Sequence, residues 1–258
     1  MNLEEKNLEL LKLSELSSKN WEDLREKSTY EYKHIEFPFG TRLVAMASER
    51  TKMLQTSRGP SFGKDASSYD EFMKSYVSNS KKIHEFDQYR INELFQLRNQ
   101  GLIQFDSEKY FYEFGFRSTS VMDFWKSTFK NVKGCDVVNP CVYASQDLGY
   151  STELIDLNFE IPNLSNVQLL VAYHVLEHLT NPLTCIQKVF ASLEKGSIFH
   201  AEIPIEPDGP RIRYAHLFPF HKDDLSTMMK IAGFRIVHKS TTPFPGGPEI
   251  ERVISIKE

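Results

Sequence analysis

The sequence predicts an α/β fold in which five parallel strands and a C-terminal antiparallel pair share one sheet, preceded by a helical N-terminal extension. Three observations lead there. From residue 108 onward, short apolar runs alternate with helical patterns, the rhythm of βαβ units joined by right-handed crossovers. The run from Val167 to Tyr173 is apolar at nearly every position, as in a strand covered on both faces. The last two runs are joined only by residues 241–248, which are rich in Pro and Gly and too short for a crossover helix, so those strands pair antiparallel.

In chain order, Leu3, Leu8, Leu11 and Leu16 recur at near-helical spacing among Glu and Lys, and Trp21 and Leu24 open a second short helical pattern. They form an amphipathic packing surface, suited to this chain's own core or to a second copy, and the oligomeric state stays open. Residues 54–67, with Arg58, Gly59, Pro60, Gly63 and Lys64, break regular structure and read as a loop, or as a lid over a site. Ser68 and Glu71 have the spacing of a capping box and start a helix over 68–78; a second helix covers 86–99 and stops at Gly101. The N-terminal hundred residues thus read as helices and loops. Strands follow at 109–115, 132–138, 151–156, 167–173, 197–205, 234–240 and 250–256, with helices at 118–130, 141–148, 182–194 and 222–232. The organisation is a helical N-terminal cap over 1–104 and a sheet domain over 105–258.

A chain of 258 residues that is 40% hydrophobic and 26% charged buries one good core and carries a smaller appendage. Its net charge of −4, with the acidic excess in the sheet domain, creates no field that would hold a polyanion, so nucleic acid is not an expected partner. Cys135, Cys141 and Cys185 lack metal-type spacing and are odd in number, which fits small core residues in a reducing compartment. No run of about 18 apolar residues is present, so the expectation is a cytoplasmic protein with no membrane partner.

Chemistry concentrates where the run 167–173 opens into His174, Glu177 and His178, because open α/β sheets place ligands at the carboxyl ends of their strands. At i, i+3 and i+4 these three side chains share one face of a helical segment. Imidazole and carboxylate suit Mg, Mn, Fe or Zn. The pattern also matches the inverted zinc-peptidase motif, which needs a long helix that a segment starting at a strand end does not offer.

Several segments resemble, in the right order over roughly residues 105–258, the class I S-adenosylmethionine-dependent methyltransferases, whose sheet is Rossmann-like. Val132-Lys133-Gly134-Cys135-Asp136-Val137 is similar to their second strand, and the resemblance implies that Asp136 receives the ribose hydroxyls. Leu154-Ile155-Asp156-Leu157 is similar to the third, implying that Asp156 and the amide of Leu157 read the adenine edge. The run ending in Tyr173 resembles the fourth strand, Lys195-Gly196-Ser197 the turn into the fifth, and Ala232-Gly233-Phe234 the turn into the sixth. Gln168 stands where an acidic residue is frequent. The first loop, Glu113-Phe114-Gly115-Phe116-Arg117, keeps the acidic position and one glycine but has Arg117 where a second glycine is expected. Three outcomes are open: Arg117 turns outward from a wider loop, it binds a carboxylate or phosphate, or cofactor binding is lost.

The His174-x-x-Glu177-His178 segment is similar to Glu-x-x-Glu-His segments of ubiquinone-pathway O-methyltransferases and small-RNA 2′-O-methyltransferases. That resemblance, with His216 in His216-Leu217-Phe218-Pro219-Phe220, implies a divalent metal ringed by His174, Glu177, His178 and His216. Two alternatives stay open: metal-free general-base work by a histidine, and a plain structural role for Glu177 and His178 at a helix start. His221 is a neighbouring alternative ligand, or a surface residue that begins the next helix. Arg211 and Arg213, in the loop after the fifth strand, would pair with an anionic acceptor. Together these features imply S-adenosylmethionine-dependent O-methylation of a small metabolite or glycan precursor, with His174, His178 and His216 catalytic. The rivals are a non-catalytic methyltransferase-like scaffold and a metal-dependent RNA 2′-O-methyltransferase.

Overall fold

The computed structural model describes residues 31–46, 85–206, 209, 216–243 and 248–258. The expected helices before residue 31, the loop at 54–67, the helix at 68–78, Arg58, Lys64, Arg211 and Arg213 lie outside the described residues.

The described part opens with an antiparallel hairpin, β1 (Tyr32–Phe37) and β2 (Gly40–Ala45), where sequence reading expects helices and loops. Pro38 and Phe39 form the turn and Gly40 takes φ +114°, a backbone that L side chains rarely adopt. Helix α1 (Glu85–Asn99) follows and is closed by Gly101 at φ +73°, with Leu102 donating back to the carbonyl of Leu97.

Alternating elements then build the main sheet: β3 (Tyr110–Phe114), α2 (Ser120–Trp125), β4 (Asn131–Asp136), α3 (Asn139–Asp147), β5 (Ser151–Leu154), β6 (Val167–Tyr173), α4 (Pro182–Ser192), β7 (Ile198–Pro204), α5 (Asp224–Ala232), β8 (Arg235–Thr242) and β9 (Ile250–Ile256). The strand order is β5-β4-β3-β6-β7-β9-β8; the first five are parallel and β9 runs antiparallel to both β7 and β8. This is the expected Rossmann-like sheet. Helix α2 is shorter than expected, because beyond Trp125 the Ser127 hydroxyl bonds the carbonyl of Phe124 and competes for the helical ladder.

Both faces of the sheet are covered, which is why β6 reads as an unbroken apolar run. Leu169 and Val171 face a core with Ile91, Leu94, Met122 and Trp125, while Leu170 and Ala172 face one with Ile186, Val189, Met228 and the hairpin's Phe37 and Val44. Cys135, Cys141 and Cys185 are buried and free. None of the described helices is long and apolar enough to cross a membrane. Helices leave β3 and β6 in opposite directions along the sheet, so the carboxyl ends of these neighbouring strands form the switch point at which such sheets place a ligand crevice.

Candidate active site at the switch point

The turn after β3 is the first wall of that crevice. Gly115 has φ +63°, and a Cβ there would lie 2.6 Å from Cγ2 of Val175, so the turn can close on the β6 exit only with glycine. Arg117 is itself left-handed, at φ +38°. The backbone therefore keeps the conformation a second glycine would give, at the cost of strain on an L residue. The Arg117 side chain itself is exposed.

Two carboxylates anchor this wall. Asp136, at the end of β4, accepts the Arg117 N–H on Oδ2 at 3.0 Å and the Val138 N–H on Oδ1 at 2.8 Å, so it ties both strand exits together. Burial pushes its carboxyl up, and those amides and the Arg117 charge oppose the shift. Glu113 is 5% exposed and its Oε2 has no partner. Burial, and then Asp87, raise its carboxyl well above the ordinary range, against the pull of Arg90. Beyond β5, Asp156 Oδ1 accepts the backbone and side-chain N–H of Asn158, at 3.0 and 3.1 Å. Asn158 in turn accepts the Thr180 N–H at 2.8 Å, so Asp156 holds the β5 exit to the start of α4.

At the β6 exit the chain turns sharply. Tyr173 donates to or accepts from His200 Nδ1 at 2.9 Å, under the Arg90 guanidinium 4.4 Å from its ring centroid. His174 takes φ +55°, and a 3-10 turn, Leu176–His178, follows. Both His174 ring nitrogens meet carboxylates: Nδ1 lies 3.2 Å from Glu177 Oε1 and Nε2 2.9 Å from Glu202 Oε1. Burial alone would lower the imidazole, but hydrogen bonds to Glu177 and Glu202 outweigh it and raise it to about 9. Hydrogen bonds from both ring nitrogens to carboxylates set His174 apart from the group formed by the other three expected ligands.

The remaining three expected ligands do converge. Glu177, His178 and His216 each offer one ligand atom, all within 4.8 Å of one another, and the two imidazole rings stand edge to face at 5.0 Å. Glu177 is fully buried with Oε2 unpartnered. Burial would raise its carboxyl, yet the His174 hydrogen bond and the charge of His178 hold it below the ordinary range. His216 meets Glu206 Oε2 through Nδ1 at 2.7 Å, a carboxylate–histidine contact of the kind found behind metal-ligating histidines. His221 lies outside this group and donates its backbone N–H to Asp224.

Sequence reading missed the residues behind this group. Glu202, 1% exposed near the end of β7, pairs with Arg90 of α1, Arg252 of β9 and His174. An acid inside an apolar strand was the available signal, but its partners lie 112 and 50 residues away along the chain. Glu206 likewise gave no local pattern.

No family model matches the chain, and no curated protein sequence matches it. The fold is nevertheless shared with solved structures. The chain is similar to the N-methyltransferase NodS from Bradyrhizobium japonicum WM9 in complex with S-adenosyl-L-homocysteine, with TM-score 0.54 and 13% identity over 72% of this chain and 96% of that one. It is similar at TM-score 0.54 and 13% identity to the [4+2]-cyclase SpnF, over 66% of this chain and 80% of that one.

Proposed function

We propose that this chain is an S-adenosylmethionine-dependent methyltransferase acting on a hydroxyl of a small, anionic acceptor. The observation that carries the reading is the backbone after β3. Gly115 and Arg117 both hold positive φ, so the turn keeps the close-approach geometry that a backbone-bound cofactor needs, even though one glycine is replaced. Asp136 supports it too, since its carboxylate lies at the end of β4 against the amides of the turn after β3, where a carboxylate could also accept a ribose hydroxyl. The unpartnered oxygen of Glu113 and the Tyr173 edge complete the wall. The likeness to NodS, which binds S-adenosyl-L-homocysteine, favours the same cofactor class. SpnF, a [4+2]-cyclase, carries different chemistry on this fold, so the sheet alone does not decide the reaction.

When bound, the cofactor supplies an electrophilic methyl group. This chain's residues must then align the acceptor oxygen and take its proton. His178 is the base best suited to that, with His216 beside it and Glu177 held as a carboxylate between His174 and the two rings. The buried orphan oxygen of Glu177 and the carboxylate behind His216 also fit a divalent cation, and two imidazoles with one carboxylate suit Zn, Fe or Mn. Such a cation would lower the pKa of the acceptor hydroxyl. Arg211 and Arg213 remain the candidates for an anionic group on the acceptor.

The test is calorimetric titration of S-adenosylmethionine and S-adenosylhomocysteine, with chelator and with added Mn. Saturable micromolar binding supports the reading, and loss of all binding supports a non-catalytic scaffold instead. His178→Ala should lower turnover at least about 100-fold while leaving cofactor affinity unchanged. Unchanged turnover would remove His178 from the chemistry.

A further inference from the structure

We infer that the β1–β2 hairpin is a working part of this site and that Arg42 is a positioning residue for His216. The inference rests on the methyl-transfer reading only in treating His216 as functional.

His216 sits at the start of a strap that runs to His221. On one side of the strap, the N–H groups of Leu217 and Phe218 both donate to the carbonyl of Glu177, at 2.7 and 3.1 Å. On the other, the hairpin's Ala45 donates to the carbonyl of Leu217 at 2.9 Å. The strap is thus held between the residue that presents the Glu177 carboxylate and the end of β2. Phe37 meets Phe218 edge to face at 5.3 Å and fills the space between them.

Among the described residues, apolar packing and one backbone bond join the hairpin to the strap, and Arg42 adds a directional grip. Its guanidinium grips the Asp224 carboxylate through Nη2 at 2.6 and 2.8 Å and Nε at 3.1 Å, with Arg42 and Asp224 only 7% and 4% exposed. A planar fork on a carboxylate fixes direction as well as distance. The same Asp224 oxygen that receives Nε accepts the His221 N–H at 2.9 Å, so the grip also fixes the far end of the strap. Between the two ends, Glu206 donates its N–H to the carbonyl of Phe220 and meets His216 Nδ1 with its carboxylate. The hairpin holds the strap, the strap holds the ring against Glu206, and the ring is thereby kept beside Glu177 and His178.

Imidazole 15N–1H correlation spectra, recorded without cofactor, acceptor or metal, test this. The wild-type chain is expected to give His216 as one tautomer with Nδ1–H. Arg42→Met, folded by far-UV circular dichroism, is expected to shift the His216 ring nitrogens toward the exchange average while His200 stays unchanged, and Arg42→Lys to fall between. An unchanged His216 in folded Arg42→Met overturns the inference. Should neither variant fold, hydrogen exchange on the wild-type chain decides. Ala45, Leu217 and Phe218 amides exchanging with one opening free energy support a single unit; Ala45 exchanging about tenfold faster or more overturns it. No readout uses the cofactor, so a failure here and a failure of methyl transfer are separate results.

Discussion

Arg117 carries the sharpest lesson at the scale of single residues. A non-glycine side chain in the left-handed region costs about 1–2 kcal/mol, and glycine there gives back part of that through its own chain entropy. Arg117→Gly is therefore expected to raise the urea midpoint, by up to about 1 kcal/mol in stability, without disturbing the Asp136 bond to that amide. A lower midpoint would mean that the Arg117 side chain contributes more than its backbone loses. Two histidines set opposite pH limbs. His200, fully buried and opposite Tyr173, is pushed from 6.5 down to about 3 by burial, so its contribution is complete above 6.5 and is lost as pH falls toward 3. His174 is raised from 6.5 to about 9, so its contribution is complete below 6.5 and is lost as pH rises through 9. Stability from this pair should peak near 6.5. In thermal unfolding across pH, His200→Asn should flatten the acid limb and His174→Asn the alkaline one.

Elements were largely legible because their signals are local. All seven strands of the main sheet and the helices between them follow from apolar period and from the residues that start and stop them. Asn181 accepts the Thr184 N–H at 3.1 Å just before Pro182 opens α4, and Asn181→Ala should cost about 1 kcal/mol by chemical denaturation. At the end of β3, Gly115→Ala would drive a methyl into Val175 and strain a positive φ, and should cost about 1–3 kcal/mol together with cofactor affinity. An alanine variant of wild-type stability would show that the turn has room to open. The hairpin was not legible. Its strands are six residues each, and the inner faces mix Lys33, Ile35 and Phe37 with Arg42 and Val44, so no clean alternation of apolar and polar residues marks them. Arg42 is buried only because Asp224, 182 residues later, is there to receive it.

Across the molecule, charge joins what the elements separate. Arg90 of α1, His174 of β6's exit, Glu202 of β7 and Arg252 of β9 meet around one carboxylate, and Arg252 also stands 3.6 Å from Glu93 of α1. Removing one member leaves buried charge behind, so Arg90→Met should destabilise the fold by about 3 kcal/mol in urea titration. A loss below about 1 kcal/mol would mean that Arg252 and His174 alone satisfy Glu202.

The sequence by itself determined the sheet, its order of elements and the switch point, because hydrophobic period, turn residues and connection length are properties of neighbouring residues. It also singled out Glu177, His178 and His216 as chemistry-bearing positions. Only the tertiary structure decided that His174 bridges Glu177 and Glu202, that Arg117 takes a left-handed backbone, and that Glu206 stands behind His216. Each of these depends on partners brought together by folding across long stretches of chain, and the charge, tautomer and backbone conformation of a side chain are set by those partners rather than by its neighbours in sequence.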